Sequence, residues 1–285
     1  MRIPPYMPYL AGPPSLAPGL APIDTERWLV PDTEAAAWLP GKTVLMRTHR
    51  DLVFADTGIP AVIEELAGAV LAVPEGRQGA RMALAVTGMG EDIWESPLEM
   101  AAARVSDDLC LLMPNADGLW TLRAASLVAP TFWSLAEKIG QPLTGLHGPV
   151  PNANPGLVSR IGRMFDGLRP GQVLERFNWT VQAGPARFTP SSAPLKAMAR
   201  TAPDDAALEL LHLRVERQTI SKLPETGAVV FTIRVCIDPL RAALPDAAHR
   251  QAFERAWNGI DPALADYKGW PDHDRLVRAA LTQLA

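Results

Sequence analysis

LRVERQTISKLPETGAVVFTIRVCIDPL (residues 213–240) reads as two β-strands folded back on each other through SKLPETG. Side chains alternate along a strand, so the first run, over 208–220, puts Leu211, Leu213 and Val215 on one face. His212, Arg214, Glu216 and Gln218 fall on the other face. In the second run, over 228–237, Val229, Phe231, Ile233 and Val235 alternate with Val230, Thr232, Arg234 and Cys236. This alternation predicts a hairpin with one apolar face and one face gathering Arg, Glu and Gln. Arg217 lies on the side opposite Arg214 and Glu216.

Outward from the hairpin, residues 109–113 and 119–125 read as two strands around Pro114-Asn115-Ala116-Asp117-Gly118, and 176–182 as another. Helical spacing of Val62, Ile63, Leu66, Val70 and Val73 predicts an amphipathic helix over 60–73. Further helices are expected over 97–104, 131–139 (closed by Gly140) and 157–168. A helix over 246–257 has an Asp cap and stops near Gly259, and a last one, over 272–284, carries Leu276, Ala280, Leu281 and Leu284 on one side. Helices at both ends of short antiparallel strands specify an α+β fold. Residues 1–22 hold seven prolines and read as an extended arm, leaving 23–285 as a single domain with C-terminal helices.

The 285 residues are 48% hydrophobic and 20% charged, with net charge −4, so the basic footprint of a nucleic-acid binder is missing. No run approaches the roughly 20 apolar residues of a membrane helix. The start, MRIPPYMPYLAGPP, has no continuous apolar stretch of the signal-peptide kind, so a cytoplasmic protein is expected. Cys110 and Cys236 stand in apolar surroundings and read as buried free thiols. HExxH, Walker and GxSxG patterns are absent, and Gly88 and Gly90 in TGMGEDIW do not complete a dinucleotide fingerprint.

Of five histidines, His249 and His273 fall in the first turns of expected surface helices, and His49 in a polar turn. His212 reads as a packed or hydrogen-bonded strand residue. His147 differs. In GLHGPVP one imidazole sits in a loop stiffened by Pro149 and Pro151, with Gly148 permitting close approach. An iron porphyrin needs such a fixed neutral imidazole beside flat open space. The pair Asp107-Asp108 reads either as a reactive dyad or as the corner before a strand.

Several blocks together resemble the haem-dependent oxidative N-demethylase family: GLAPIDTERWL (19–29), VSDDLCLLM (105–113), FWSLAEKIGQPLTGLHGPVP (132–151), RFNWTV (176–181), the hairpin block and DYKG (266–269). The resemblance implies a haem-binding, PAS-like antiparallel sheet flanked by helices. It implies O₂-dependent removal of a methyl group from a dimethylamine-like secondary amine, with haem b as cofactor. Electrons would come from a separate flavin or iron–sulfur reductase, for which this chain has no cysteine set. His147 is the implied iron ligand, and Arg214, Arg217 and Arg234 are candidates for the haem propionates. Glu216 is the candidate catalytic residue contacting the substrate ammonium. Two alternatives stay open: a non-enzymatic haem PAS sensor of O₂ or redox state, and a binding subunit without haem.

Overall fold

The computed structural model describes residues 3–15, 19–30, 32–74, 76, 94–148 and 155–285, the side chains of His147 and Pro155 excepted. Seven strands make one sheet: β1 (Ala21–Ile23), β2 (Phe54–Asp56), β3 (Asp108–Pro114), β4 (Trp120–Ser126), β5 (Val173–Ala183), β6 (Leu211–Lys222) and β7 (Val229–Pro239). Their order is β1-β5-β6-β7-β3-β4-β2, and every neighbouring pair is antiparallel. Helices cover the sheet, so the fold is α+β.

The expected hairpin forms the centre of the sheet. Its turn closes through Leu223 N–H to the Ala228 carbonyl, with Gly227 at φ 70°, a conformation that disfavours any other residue. The faces differ from the alternation reading. Val215 opposes Cys236, Arg217 opposes Arg234 and Thr219 opposes Thr232, while Arg214, Glu216 and Gln218 oppose Ile237, Val235 and Ile233. Opposed residues share a face, so the apolar set of β6 lies with the mixed set of β7. Alternation within a strand is local, but which two sets coincide depends on the register that the turn imposes.

The Val215 face carries two apolar clusters. One joins Val230, Leu109, Leu111 and Ala124 to the helices Ala35–Thr48, Pro60–Ala72 and Pro97–Ala102. The other joins Trp179, Val181, Leu213 and Val215 to the helices Ala247–Asn258 and Asp274–Leu284. Between them runs a buried polar band. Arg217 donates to Glu175 at 2.6 Å and to the Trp28 carbonyl at 3.1 Å. Arg234 donates twice to Asp107 Oδ2, at 3.0 and 2.6 Å, and the Thr219 and Thr232 hydroxyls meet at 2.6 Å. A third cluster, on the opposite face, packs Ile220, Val229, Ile233 and Val235 against Leu135, Leu143 and the helix Pro155–Gly167.

The proline-rich start does not stand free. Tyr9, in a 3-10 turn over Pro8–Ala11, is 1% exposed and edge-on to Trp179 and Phe253, with its hydroxyl donating to the Ala243 carbonyl. β1 spans the arm boundary drawn at residue 22 and pairs with β5. Among the described residues, helices that escaped the reading include Ala193–Thr201, Pro262–Lys268 and Ala35–Thr48, whose internal Pro40 argues against a helix on local grounds. The helix expected over 131–139 shrinks to Leu135–Lys138. Upstream, the Phe132 N–H is held by the Thr189 carbonyl at 2.9 Å, and Phe132 takes φ 64°. No helix among the described residues is long and apolar enough to cross a membrane.

Candidate functional site

On the face opposite Val215, the register sets Asn178 beside Glu216 and Glu216 beside Val235; one step along, Arg176 stands beside Gln218 and Gln218 beside Ile233. Arg176, Asn178, Gln218 and Phe231 on this face remain part-exposed. One end of this face is closed by the helix Pro155–Gly167, through Phe165 with part-exposed Val158, Ile161 and Met164. The other end is closed by residues 129–133, with Trp133 packed against the same cluster. Between them lies an apolar strand surface with a polar margin.

Glu216 is the carboxylate of that margin and is 6% exposed. Its Oε2 accepts from Asn178 Nδ2 at 3.0 Å and from Gln218 Nε2 at 2.7 Å. No donor among the described residues reaches Oε1. Lys268 donates to Asn178 Oδ1 at 2.8 Å and to the Trp179 carbonyl at 3.2 Å. Burial pushes the Lys268 ammonium down to about 8, against the opposing pull of the Glu216 charge. Tyr267, half-exposed beside it, is held above its ordinary value by burial first and by Glu216 second. Among the described residues Arg176 donates only to the Ser15 carbonyl, at 3.4 Å; burial lowers its guanidinium and Glu216 acts the other way.

Lys268 arrives from the far side of the sheet. It is the last residue of the helix Pro262–Lys268, which Asp261 caps by accepting from Leu264 N–H. Gly269 then ends the helix at φ 70°, where an added Cβ would also stand 2.3 Å from Lys196 Cε. The reversal carries Lys268 across the outer edge of β5, which past Glu175 pairs with no strand of the described residues. Edge carbonyls left bare invite other chains, and Lys268 covers one of them.

The three arginines proposed from sequence point elsewhere. Arg214 is on the Glu216 face but 0% exposed, and its donors go inward to Thr131, Gln182 and Thr189 and to the carbonyls of Ala129 and Pro130. Burial pushes its guanidinium down to about 10, and its role in the fold is to stitch residues 129–131 to 186–189. Arg217 and Arg234 lie on the other face, committed to Glu175 and Asp107. The structure thus brings Glu216 together with Arg176, Asn178, Gln218 and Lys268, of which the sequence reading had singled out none but Gln218. The available signals were the even-numbered residues of RFNWTV and the lysine of DYKG.

His147 ends the helix Leu143–His147, whose Leu143 and Leu146 pack in the third cluster, and its side chain lies outside the described residues. His49 is exposed against Thr48, His212 bonds the Leu210 carbonyl through Nδ1 at 2.9 Å, and His249 meets Asp246. His273 corrects its surface assignment: it is 3% exposed, with Nδ1 at 3.0 Å from the Gly269 carbonyl, because the last helix buries its first turn. Cys110 and Cys236 are buried free thiols.

Asp107 and Asp108 are not a dyad, since they point to opposite faces. Asp107 holds Arg234, and Asp108 accepts Val128 N–H at 2.8 Å and Ala129 N–H at 2.9 Å. Desolvation pushes Asp108 up to about 6, with Lys42 and the two N–H groups pulling the other way. A raised carboxylate contributes stability that is full below its unfolded value, near 4, and is lost as pH rises through the folded one. Relative to Asp108→Asn, the wild-type protein is therefore expected to lose on the order of 3 kcal/mol between pH 4 and 7. Urea midpoints of both proteins across that range check it; parallel curves would contradict it.

A carboxylate oxygen that no donor of the described residues reaches thus stands beside apolar strand residues on one face of the sheet of an α+β protein. Residues 19–277 match the family model described as haem-dependent oxidative N-demethylase, alpha subunit-like. The chain belongs to that family.

Proposed function

We propose that this protein is a haem-dependent monooxygenase that demethylates a small secondary amine of the dimethylamine kind. The balance is (CH₃)₂NH + O₂ + 2e⁻ + 2H⁺ → CH₃NH₂ + HCHO + H₂O. The observation that carries the reading is the undonated Oε1 of Glu216 beside Val235 and Ile233. A small dialkylammonium offers N–H donors and methyl groups, and such a margin accepts the former and covers the latter.

The residues present also suit a porphyrin. Phe231, Ile233 and Val235 give an apolar surface, Leu146, Val158, Ile161 and Met164 an apolar wall, and Arg176 a guanidinium that no carboxylate of the described residues meets. His147 would hold the iron and Arg176 a propionate, in place of Arg214, Arg217 and Arg234, whose donors are taken. Haem b, when bound, supplies the activation of O₂. The chain's own part is to orient the amine on Glu216 and to keep water off the apolar floor. Electrons come from a separate flavin or iron–sulfur protein, in keeping with the word "subunit" in the family's description.

Purified, reconstituted protein is expected to show a haem Soret band that shifts when dimethylamine is added, and to release formaldehyde with a surrogate electron donor. A haem spectrum indifferent to amines would favour the sensor alternative, and no haem binding would end both. Glu216→Gln keeps the size but removes the charge. Charge-assisted hydrogen bonds contribute about 1.5–3 kcal/mol, so amine affinity is expected to fall about 10–100-fold while the haem band stays. An unchanged affinity would remove Glu216 from the amine site.

A further inference from the structure

We infer that Lys268 is a positioning residue, which through Asn178 holds Glu216 turned so that Oε1 faces the substrate. This rests on the role given to Glu216 above. The argument is one of hydrogen-bond polarity. An ammonium only donates, so the group on Lys268 at 2.8 Å must be the Asn178 amide oxygen. The Asn178 NH₂ is thereby left facing Glu216, and it donates to Oε2 at 3.0 Å. Gln218 donates to that same oxygen at 2.7 Å. Turned over, the Asn178 amide would press its oxygen against the carboxylate and its NH₂ against the ammonium. The chain of donors therefore runs one way, from Lys268 to Glu216, and saturates one carboxylate oxygen while sparing the other.

Among the described residues, the charged and titratable groups coupled to Glu216 are Arg176, Arg214, Tyr267 and Lys268, and of these Lys268 touches a residue that holds the carboxylate. Arg214 is committed to carbonyls and hydroxyls of the 129–131 and 186–189 segments. The backbone contact of Lys268 to Trp179 fixes its ammonium over the strand edge, so it reaches Asn178 without a flexible search. Loss of its proton near pH 8 lets a neutral amine accept as well as donate, and the one-way order then loosens.

The test measures dimethylamine affinity from the haem spectral shift, alongside KM and kcat, in the reconstituted full chain. Lys268→Met is expected to raise the dissociation constant and KM about tenfold, the size of one lost charge-assisted contact, with kcat changed less than about threefold. Lys268→Arg, which still donates, is expected to recover most of the loss. The wild-type affinity profile is expected to carry an inflection near pH 8 that Lys268→Met lacks. Because Lys268→Met also strips the Trp179 carbonyl, Asn178→Ser serves as second variant: it leaves that contact and cuts only the relay, with the same rise in KM expected. Should either folded variant keep wild-type affinity and pH profile while Glu216→Gln is impaired, the inference fails and the amine site stands. If Glu216→Gln itself binds normally, the function reading has failed first.

Discussion

Replacing His147 by alanine is expected to abolish the haem spectrum of the reconstituted protein, or to turn it into that of loosely held porphyrin that exogenous imidazole restores. Alanine at His212 is expected to leave the spectrum as it is. The contrast matters because His212 lies on the Glu216 face of β6. It lies at the far end of β6, paired with Pro239, and its Nδ1 is engaged by the Leu210 carbonyl. His49 is exposed and His249 sits in a helix cap, while His273 belongs to the opposite side, beneath Gly269. His147 ends a five-residue helix whose leucines pack in the cluster shared with Ile233 and Val235, and Pro149 and Pro151 follow in sequence. A neutral imidazole at that place is the iron ligand proposed above. A His147→Ala protein with an unaltered Soret band and CO shift would end this assignment.

The largest loss of stability is expected from Arg234→Ala. Arg234 and Asp107 are 2% and 0% exposed, and both bonds between them fall on one carboxylate oxygen. Removing the guanidinium leaves a buried carboxylate without its counter-charge in the band between two apolar clusters. Breaking such a pair from one side costs about 3–5 kcal/mol, whereas exchanging both partners for apolar residues of like volume costs far less. Arg234→Met together with Asp107→Leu is therefore expected to recover most of the loss in urea midpoint, with haem affinity unaffected throughout. A variant Arg234→Ala that is stable but binds haem poorly would return Arg234 to the propionates and overturn the structural role.

How far the sequence reaches can be followed residue by residue. The strands over 109–113, 119–125 and 176–182 formed within a few positions of their expected bounds, because apolar runs bounded by turn residues are a local signal. The Asp246 cap and the Gly259 stop appeared as read, again because capping acts within one turn. His147 drew notice through its proline neighbours, and Glu216 through its place among alternating apolar residues. The helix around Pro40 was illegible, since its contacts to the first cluster outweigh a local cost.

The amino-acid sequence alone determined the α+β class, the central hairpin and the side of β6 on which Arg217 opposes Glu216, all of which follow from periodicity and short-range chemistry. Only the tertiary structure decided that β7 meets β6 with Val235 against Glu216, that three arginines turn inward, and that Lys268 comes round the edge of β5 to Asn178. Those outcomes depend on strand register and on contacts between residues 90 positions apart, such as Lys268 and Asn178, which no local pattern encodes.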